Sequence, residues 1–237
     1  MKKFTVILSL TGALAFAGFL GYAYWLNYGL WAIAVCAATV IALPVSSLLH
    51  ELGHMLFGVI CGIKAVPQFK LFGSSSCKLI PKKDKNLRAR IFFTAIGGLV
   101  VNLLTVALSV LAITLPFMPL WLSVLAPSSL YLFLLNDMPV EFASGKTDGL
   151  ICNEVLNNTD SAKVMVAVLT VQAQILNGKP IAEIDKKLLF GVPQIREDDA
   201  AFIALTELRY EYCAALGETE KAEKYRLRYE RLKEEYL

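Results

Sequence analysis

Apolar residues in this chain run in blocks instead of alternating with polar ones. Phe4–Leu26, Leu30–Ile63, Ile91–Leu115 and Leu120–Leu135 are each almost continuously apolar. Crossing roughly 30 Å of hydrocarbon takes about 20 apolar residues at 1.5 Å each, so the pattern predicts four spans. The second is longer than a span requires, about 51 Å if wholly helical, and Pro44 is expected to kink it. Pro116 and Pro119 separate the third span from the fourth, which is short. The start, Met1-Lys2-Lys3 before an apolar run, resembles a signal peptide. The run of about 23 residues exceeds the 7–15 of a signal core, and it reads as a retained anchor.

Beyond residue 155 the pattern changes to helical period. Lys163–Leu176, Asp198–Leu216 and Glu218–Leu237 each carry an apolar stripe, with breaks at Gly178-Lys179-Pro180 and Gly217-Glu218. Ala200, Leu205, Leu208, Tyr212 and Leu216, with Ala222, Tyr225 and Tyr229, suit a helical hairpin. The fold expectation is an all-α polytopic membrane protein of about four transmembrane helices. Residues 1–155 form the membrane domain and residues 156–237 a small cytosolic helical domain.

Composition agrees: 56% of residues are hydrophobic and 18% charged, against about a quarter charged in an ordinary soluble domain. The net charge of +3 is too small to point to nucleic acid. The five cysteines, Cys36, Cys61, Cys77, Cys152 and Cys213, show no C-x-x-C spacing, and the two inside the apolar blocks read as small hydrophobes. Positive charge sets orientation. The 64–90 loop holds eight Lys/Arg against Asp84 alone, whereas Asn27–Gly29 and Pro116–Pro119 hold none. With Lys2 and Lys3, this predicts both termini on the cytosolic side. Within the basic loop, Gln68–Phe72, Gly73–Ser76 and Cys77–Ile80 read as strand, turn and strand. An open edge of such a hairpin can accept an extended peptide.

Phe4–Ile63 contains one charged side chain, Glu51, and Ile91–Asn136 contains none. Glu51 lies within His50-Glu51-Leu52-Gly53-His54, the pattern H-E-x-x-H, and the chain has no other histidine. On a helix, positions i and i+4 share a face, so His50 and His54 can present nitrogens to one ion. Glu51 beside them can act as a general base toward water. A carboxylate at membrane depth costs several kcal/mol unless a cation or partner compensates it, which makes Glu51 a functional candidate. The bland alternative is a helix–helix hydrogen-bond cluster of Ser46, Ser47, His50 and His54. A zinc ion needs a third protein ligand, and the segment after the fourth span offers Asp137, Glu141 and Asp148.

H-E-x-x-H in one span, Gly97-Gly98-Leu99-Val100-Val101-Asn102 in the next, and Asn136-x-x-Pro139 followed by Asp148-Gly149 occur in that order. Over roughly residues 30–155 this resembles the site-2 protease family of intramembrane zinc metalloproteases. The resemblance implies one Zn2+ held by His50, His54 and Asp148, with Glu51 as general base. Here Thr147 precedes Asp148 where family members commonly have leucine, and the stretch from Pro139 is longer, which keeps Asp137 as an alternative ligand. Gly97 and Gly98 read as close-packing positions. Asn102 is a candidate for binding a substrate carbonyl or oxyanion, and Asn136 either holds peptide or caps the fourth span.

The function expected is therefore a zinc metalloendopeptidase that cuts a transmembrane segment of a single-span membrane protein near the cytosolic face. The expected setting is a bacterial plasma membrane, with the C-terminal helices available to a cytosolic regulator. The rival readings are a catalytically silent membrane scaffold or chaperone of the same fold and a metal transporter, though transport calls for ligands distributed along a path.

Overall fold

The computed structural model describes residues 2–68, 76–115, 120–142 and 145–236. All but the first residue of the expected strand Gln68–Phe72, most of the turn after it, and Pro116 and Pro119 lie outside the described residues. The chain is mainly helical, with two small antiparallel sheets. In order the elements are α1 (Lys2–Tyr28), α2 (Trp31–Ile41), α3 (Leu43–Cys61), β1 (Ile63–Gln68), β2 (Ser76–Pro81) and α4 (Leu87–Thr114). A 3-10 turn (Leu120–Leu125) and α5 (Ala126–Asp137) follow, then β3 (Glu141–Phe142), β4 (Gly145–Lys146) and α6 (Asp148–Asn157). The last elements are α7 (Asp160–Leu176), α8 (Lys186–Phe190), α9 (Ala200–Ala215) and α10 (Thr219–Tyr236).

Among the described residues, three stretches are long and apolar enough to cross a membrane: Lys2–Leu26, Ala37–Cys61 and Leu87–Ala112. The second corresponds to the expected long span, and its helix is interrupted at Ala42, just before Pro44. Ala42 N–H still donates to Ala38, and Ser46 N–H to Ala42. The interruption is therefore local, as expected where proline lacks a donor and crowds the preceding turn. The expected fourth span is divided into the 3-10 turn and the twelve-residue α5. Pro127, in the first turn of α5, fits that division, because proline is tolerated there and not deeper in a helix.

Ile63, counted above with the second span, is instead the first residue of β1. Gly62 ends α3 with a left-handed φ of +71°, and Arg90 donates to the freed Cys61 carbonyl. That is the usual way a helix end satisfies its last carbonyls. Lys82 N–H donates to Gly62 at 3.1 Å and closes the base of the β1–β2 sheet.

The contacts divide the chain into two compact units, Met1–Ile60 with Ala65–Lys78 and Phe93–Cys152, and Cys61–Lys64 with Leu79–Phe92 and Asn153–Leu237. In the first unit α1 packs against α2 and α5. Helices α3 and α4 touch through glycine: a Cβ on Gly97 would lie 2.6 Å from the Gly53 carbonyl oxygen and 2.9 Å from Phe57 Cβ. Buried hydroxyls join other helices, Ser46 to Ser128 at 2.7 Å and Tyr24 to Ser123 at 3.0 Å. Hydrogen bonds of this kind hold helices together where apolar burial supplies no preference between protein and lipid.

Helix α3 is inverted relative to a soluble helix. Its buried residues are Ser46, His50, Glu51, Gly53, His54 and Gly58, while Leu48, Leu52, Leu56, Val59 and Ile60 are exposed. Helices α1 and α4 likewise expose Phe4, Leu14, Phe19, Phe93, Leu103 and Leu108. So much apolar surface exceeds what a water-soluble monomer tolerates and suits a hydrocarbon solvent.

In the second unit Val164, Val168, Val171, Leu189, Leu205 and Leu208 form the core. The breaks expected at Gly178 and Gly217 are where α7 and α9 end, and both glycines take positive φ. Asp199 caps α9 by accepting from Ala201 N–H at 2.9 Å, a carboxylate doing what N-caps do. The hairpin of α9 and α10 buries Leu205, Leu208, Tyr212 and Ala222 as expected, but Ala200 and Leu216 are exposed. They lie at the two ends of α9, where no neighbouring turn is left to cover them.

Candidate metal centre

His50 and His54 lie one turn apart on the buried face of α3, with rings edge to face at a centroid distance of 4.7 Å. Asp148 reaches them from the first turn of α6. Its Oδ2 is 3.0 Å from His50 Nε2 and 3.4 Å from His54 Nε2, and the two Nε2 atoms are 3.1 Å apart. Ligands held about 2.0 Å from a tetrahedral ion stand about 3.3 Å from one another, so this triangle has the dimensions of one face of such a site. Asp148 Oδ2 is buried yet accepts no hydrogen bond of good geometry among the described residues. Three potential donor atoms of a metal ligand set converge on one point at these spacings, an arrangement that fits a cation.

The surroundings fix each ligand. His54 sets its Nδ1 2.8 Å from the Thr94 carbonyl of α4. Since that carbonyl only accepts, the ring proton sits on Nδ1 and Nε2 keeps its lone pair. Gly98 of α4 lies directly against the pair: a Cβ there would be 2.6 Å from His50 Cε1 and from His54 Nε2. The expected packing role of Gly97 and Gly98 thus divides in two. Gly97 faces the backbone of Gly53, and Gly98 makes room for the imidazoles.

Asp148 is held by its neighbours. Thr147 Oγ1 donates toward the carbonyls of Met138 at 2.6 Å and Val140 at 2.9 Å, and it lies within accepting distance of Leu150 N–H at 3.3 Å. Thr147 is therefore the knot tying the segment after α5 to the start of α6. The β3–β4 pairing of Glu141 with Lys146 and Phe142 with Gly145 closes the loop between them. Gly149 admits no side chain, because a Cβ would collide with the Asp137 carbonyl and lie 3.0 Å from that of Asn136. A carboxylate in a first helical turn also meets the positive end of the helix dipole. Burial alone would raise the Asp148 carboxyl; protonated imidazoles at His54 and His50, the state that competes with a bound ion, outweigh it and hold the group at about 2. Burial, followed by the charges of Asp148 and Asp137, pushes the Cys152 thiol up to about 12.

Glu51 is buried on the same face of α3. Asn102 is fully buried and touches His50, its Nδ2 2.9 Å from His50 Nδ1. Asn136 donates to Leu132 one turn back at 3.0 Å, so its amide serves its own helix. Asp137 is exposed, and neither it nor Glu141 belongs to the cluster formed by His50, His54 and Asp148. Ser46, the start of the bland alternative, bonds Ser128 and Ser129 of α5. Thr94, Gly98, Gly53 and Thr147 were not singled out as site residues from sequence. Gly53 had a visible signal, since a glycine between two ligands on one helix face asks for a reason. Thr94 had none, because it contributes only backbone. No protein-family model, no curated protein and no solved structure matches this chain.

Proposed function

We propose that this protein is an intramembrane zinc metalloendopeptidase. The observation that carries the reading is the convergence of His50 Nε2, His54 Nε2 and Asp148 Oδ2 within 4.8 Å of one another, with Glu51 buried on the same helix face. That helix belongs to a stretch long and apolar enough to cross a membrane. Two imidazoles and a carboxylate are the ligand set of a catalytic zinc site with a position left open. Bound there, zinc would act as a Lewis acid and bring the pKa of water at the site to about 7.

The chain's own residues supply the rest. Glu51 takes a proton from the attacking water and returns it to the leaving amine, a role that needs a carboxylate aimed at the site and shielded from bulk solvent. The substrate must present an extended peptide, since a helical amide is closed by its own hydrogen bonds. The β1–β2 sheet offers an edge for such a strand. The partner is a single-span membrane protein cut near the cytosolic face, and both termini of the protease lie in the cytosol. The C-terminal helices are the surface for a cytosolic regulator. The fourth crossing is built from the 3-10 turn and α5, whose six and twelve residues laid end to end reach about 30 Å.

The test is Glu51→Gln in purified protein and in cells. Zinc content should remain and cleavage of a candidate membrane substrate should disappear. Retained cleavage refutes the role of Glu51, and wild-type protein without zinc or cleavage marks the silent-scaffold reading as the right one.

A further inference from the structure

Asn102 carries an oddity that an oxyanion role does not explain. As placed, its Nδ2 faces His50 Nδ1 at 2.9 Å, while its Oδ1 is buried with no hydrogen-bond partner. In that orientation His50 Nδ1 must accept, and the neutral ring carries its proton on Nε2. Nε2 is the atom turned to Asp148 and His54, so that proton would stand where a ligand lone pair belongs. The two ends of a carboxamide have the same shape, and their assignment follows from the hydrogen bonds they make. Turned over, the amide sets Oδ1 on His50 Nδ1 as acceptor, and Nδ2 takes the buried position that Oδ1 held; the gain is in the tautomer of His50. His50 then matches His54, whose Nδ1–H is taken by the Thr94 carbonyl at 2.8 Å. Both Nε2 lone pairs then face Asp148 Oδ2.

We infer that Asn102 is a positioning residue: its Oδ1 accepts the Nδ1–H of His50 and fixes the tautomer that offers Nε2 to a metal ion. This rests on the metal-binding part of the proposed function and is independent of proteolysis. A backbone carbonyl orients one histidine and a side chain orients the other, so mutation can reach only the second. Partners of this kind typically change metal affinity 10- to 100-fold when removed.

The experiment measures Zn2+ affinity by chelator competition on full-length protein in detergent, for wild type, Asn102→Leu and Asn102→Asp. Leucine should lower affinity about 10- to 100-fold, and aspartate, which still accepts from Nδ1–H, should restore it to within a few-fold of wild type. Equal affinity in wild type and Asn102→Leu overturns the inference; loss of cleavage alone in both variants identifies a substrate or oxyanion group instead. If wild type binds no zinc, the metal reading falls and this inference with it. If Asn102→Leu does not fold, 15N-histidine NMR of zinc-loaded wild type decides, and with two histidines in the chain the spectrum is simple. Both rings should carry their proton on Nδ1, and a His50 ring protonated on Nε2 overturns the inference.

Discussion

Gly98→Ala is the smallest change that should disable the metal centre without touching a ligand. The added carbon would sit 2.6 Å from His50 Cε1 and His54 Nε2 and 2.7 Å from His50 Nε2, where ordinary contact begins at 3.4 Å. Each ring must therefore retreat by about 0.8 Å, more than the ~0.5 Å within which a ligand set has to be held. Neither ring has room to do so: His54 is tied to Thr94, the rings abut edge to face, and Asp148 closes the third side. Zinc affinity should fall at least 10- to 100-fold, or about 1.4–2.7 kcal/mol. Helix propensity acts in the opposite direction, since alanine is favoured over glycine by about 0.8–1 kcal/mol in a helix interior. A weakened site in a helix that is intrinsically no weaker separates steric displacement from general unfolding. Chelator competition reads the affinity, and circular dichroism in detergent reads the helix. Wild-type zinc affinity in Gly98→Ala would refute the placement of α4 against the histidines.

Asp148→Asn should lower zinc affinity severely while Asp137→Asn leaves it unchanged, and the same chelator assay distinguishes them; the reverse order would make Asp137 the ligand. Thr147→Val keeps the shape but removes the hydroxyl that ties Met138 and Val140 to α6, so a loss of about 1–3 kcal/mol is expected, read as weaker zinc binding with unchanged helical content. The Asp148 carboxyl, held at about 2 in the folded protein, contributes stability that is present above the unfolded carboxyl range of about 4 and is lost as pH falls toward 2. Asp148→Asn should therefore flatten the acid limb of a denaturation profile between about pH 4 and 2. The Cys152 thiol, buried and pushed up to about 12, should resist maleimide at pH 7.5 and react only after denaturation; rapid labelling of the native protein would contradict its burial.

Two levels of this protein were legible in sequence to different degrees. Hydropathy located the apolar stretches, because lipid exposure demands apolar side chains whatever the backbone does. It did not distinguish α-helix from the 3-10 turn at Leu120–Leu125, since both bury backbone polarity with the same residues. The i, i+4 spacing of His50 and His54 placed both on one face, yet periodicity is silent about which neighbour meets that face. Hence Thr94, the contact of Gly98 with the imidazoles and that of Asn102 with His50 emerged only from the fold. The role of Thr147 was hidden for a related reason. It depends on carbonyls seven and nine residues away, brought near by a loop that no local pattern specifies.

The third ligand comes from far along the chain, and that separation has a consequence for synthesis. His50, Glu51 and His54 are synthesised early, while Asp148 is added only after α4 and α5 have been made. Chains fold from the N-terminus as they are translated. A nascent or truncated protein therefore carries the acid and both imidazoles but an incomplete coordination set. If the proposed function holds, hydrolytic competence would be withheld until Asp148 is in place, and an unfinished chain would be harmless to its neighbours.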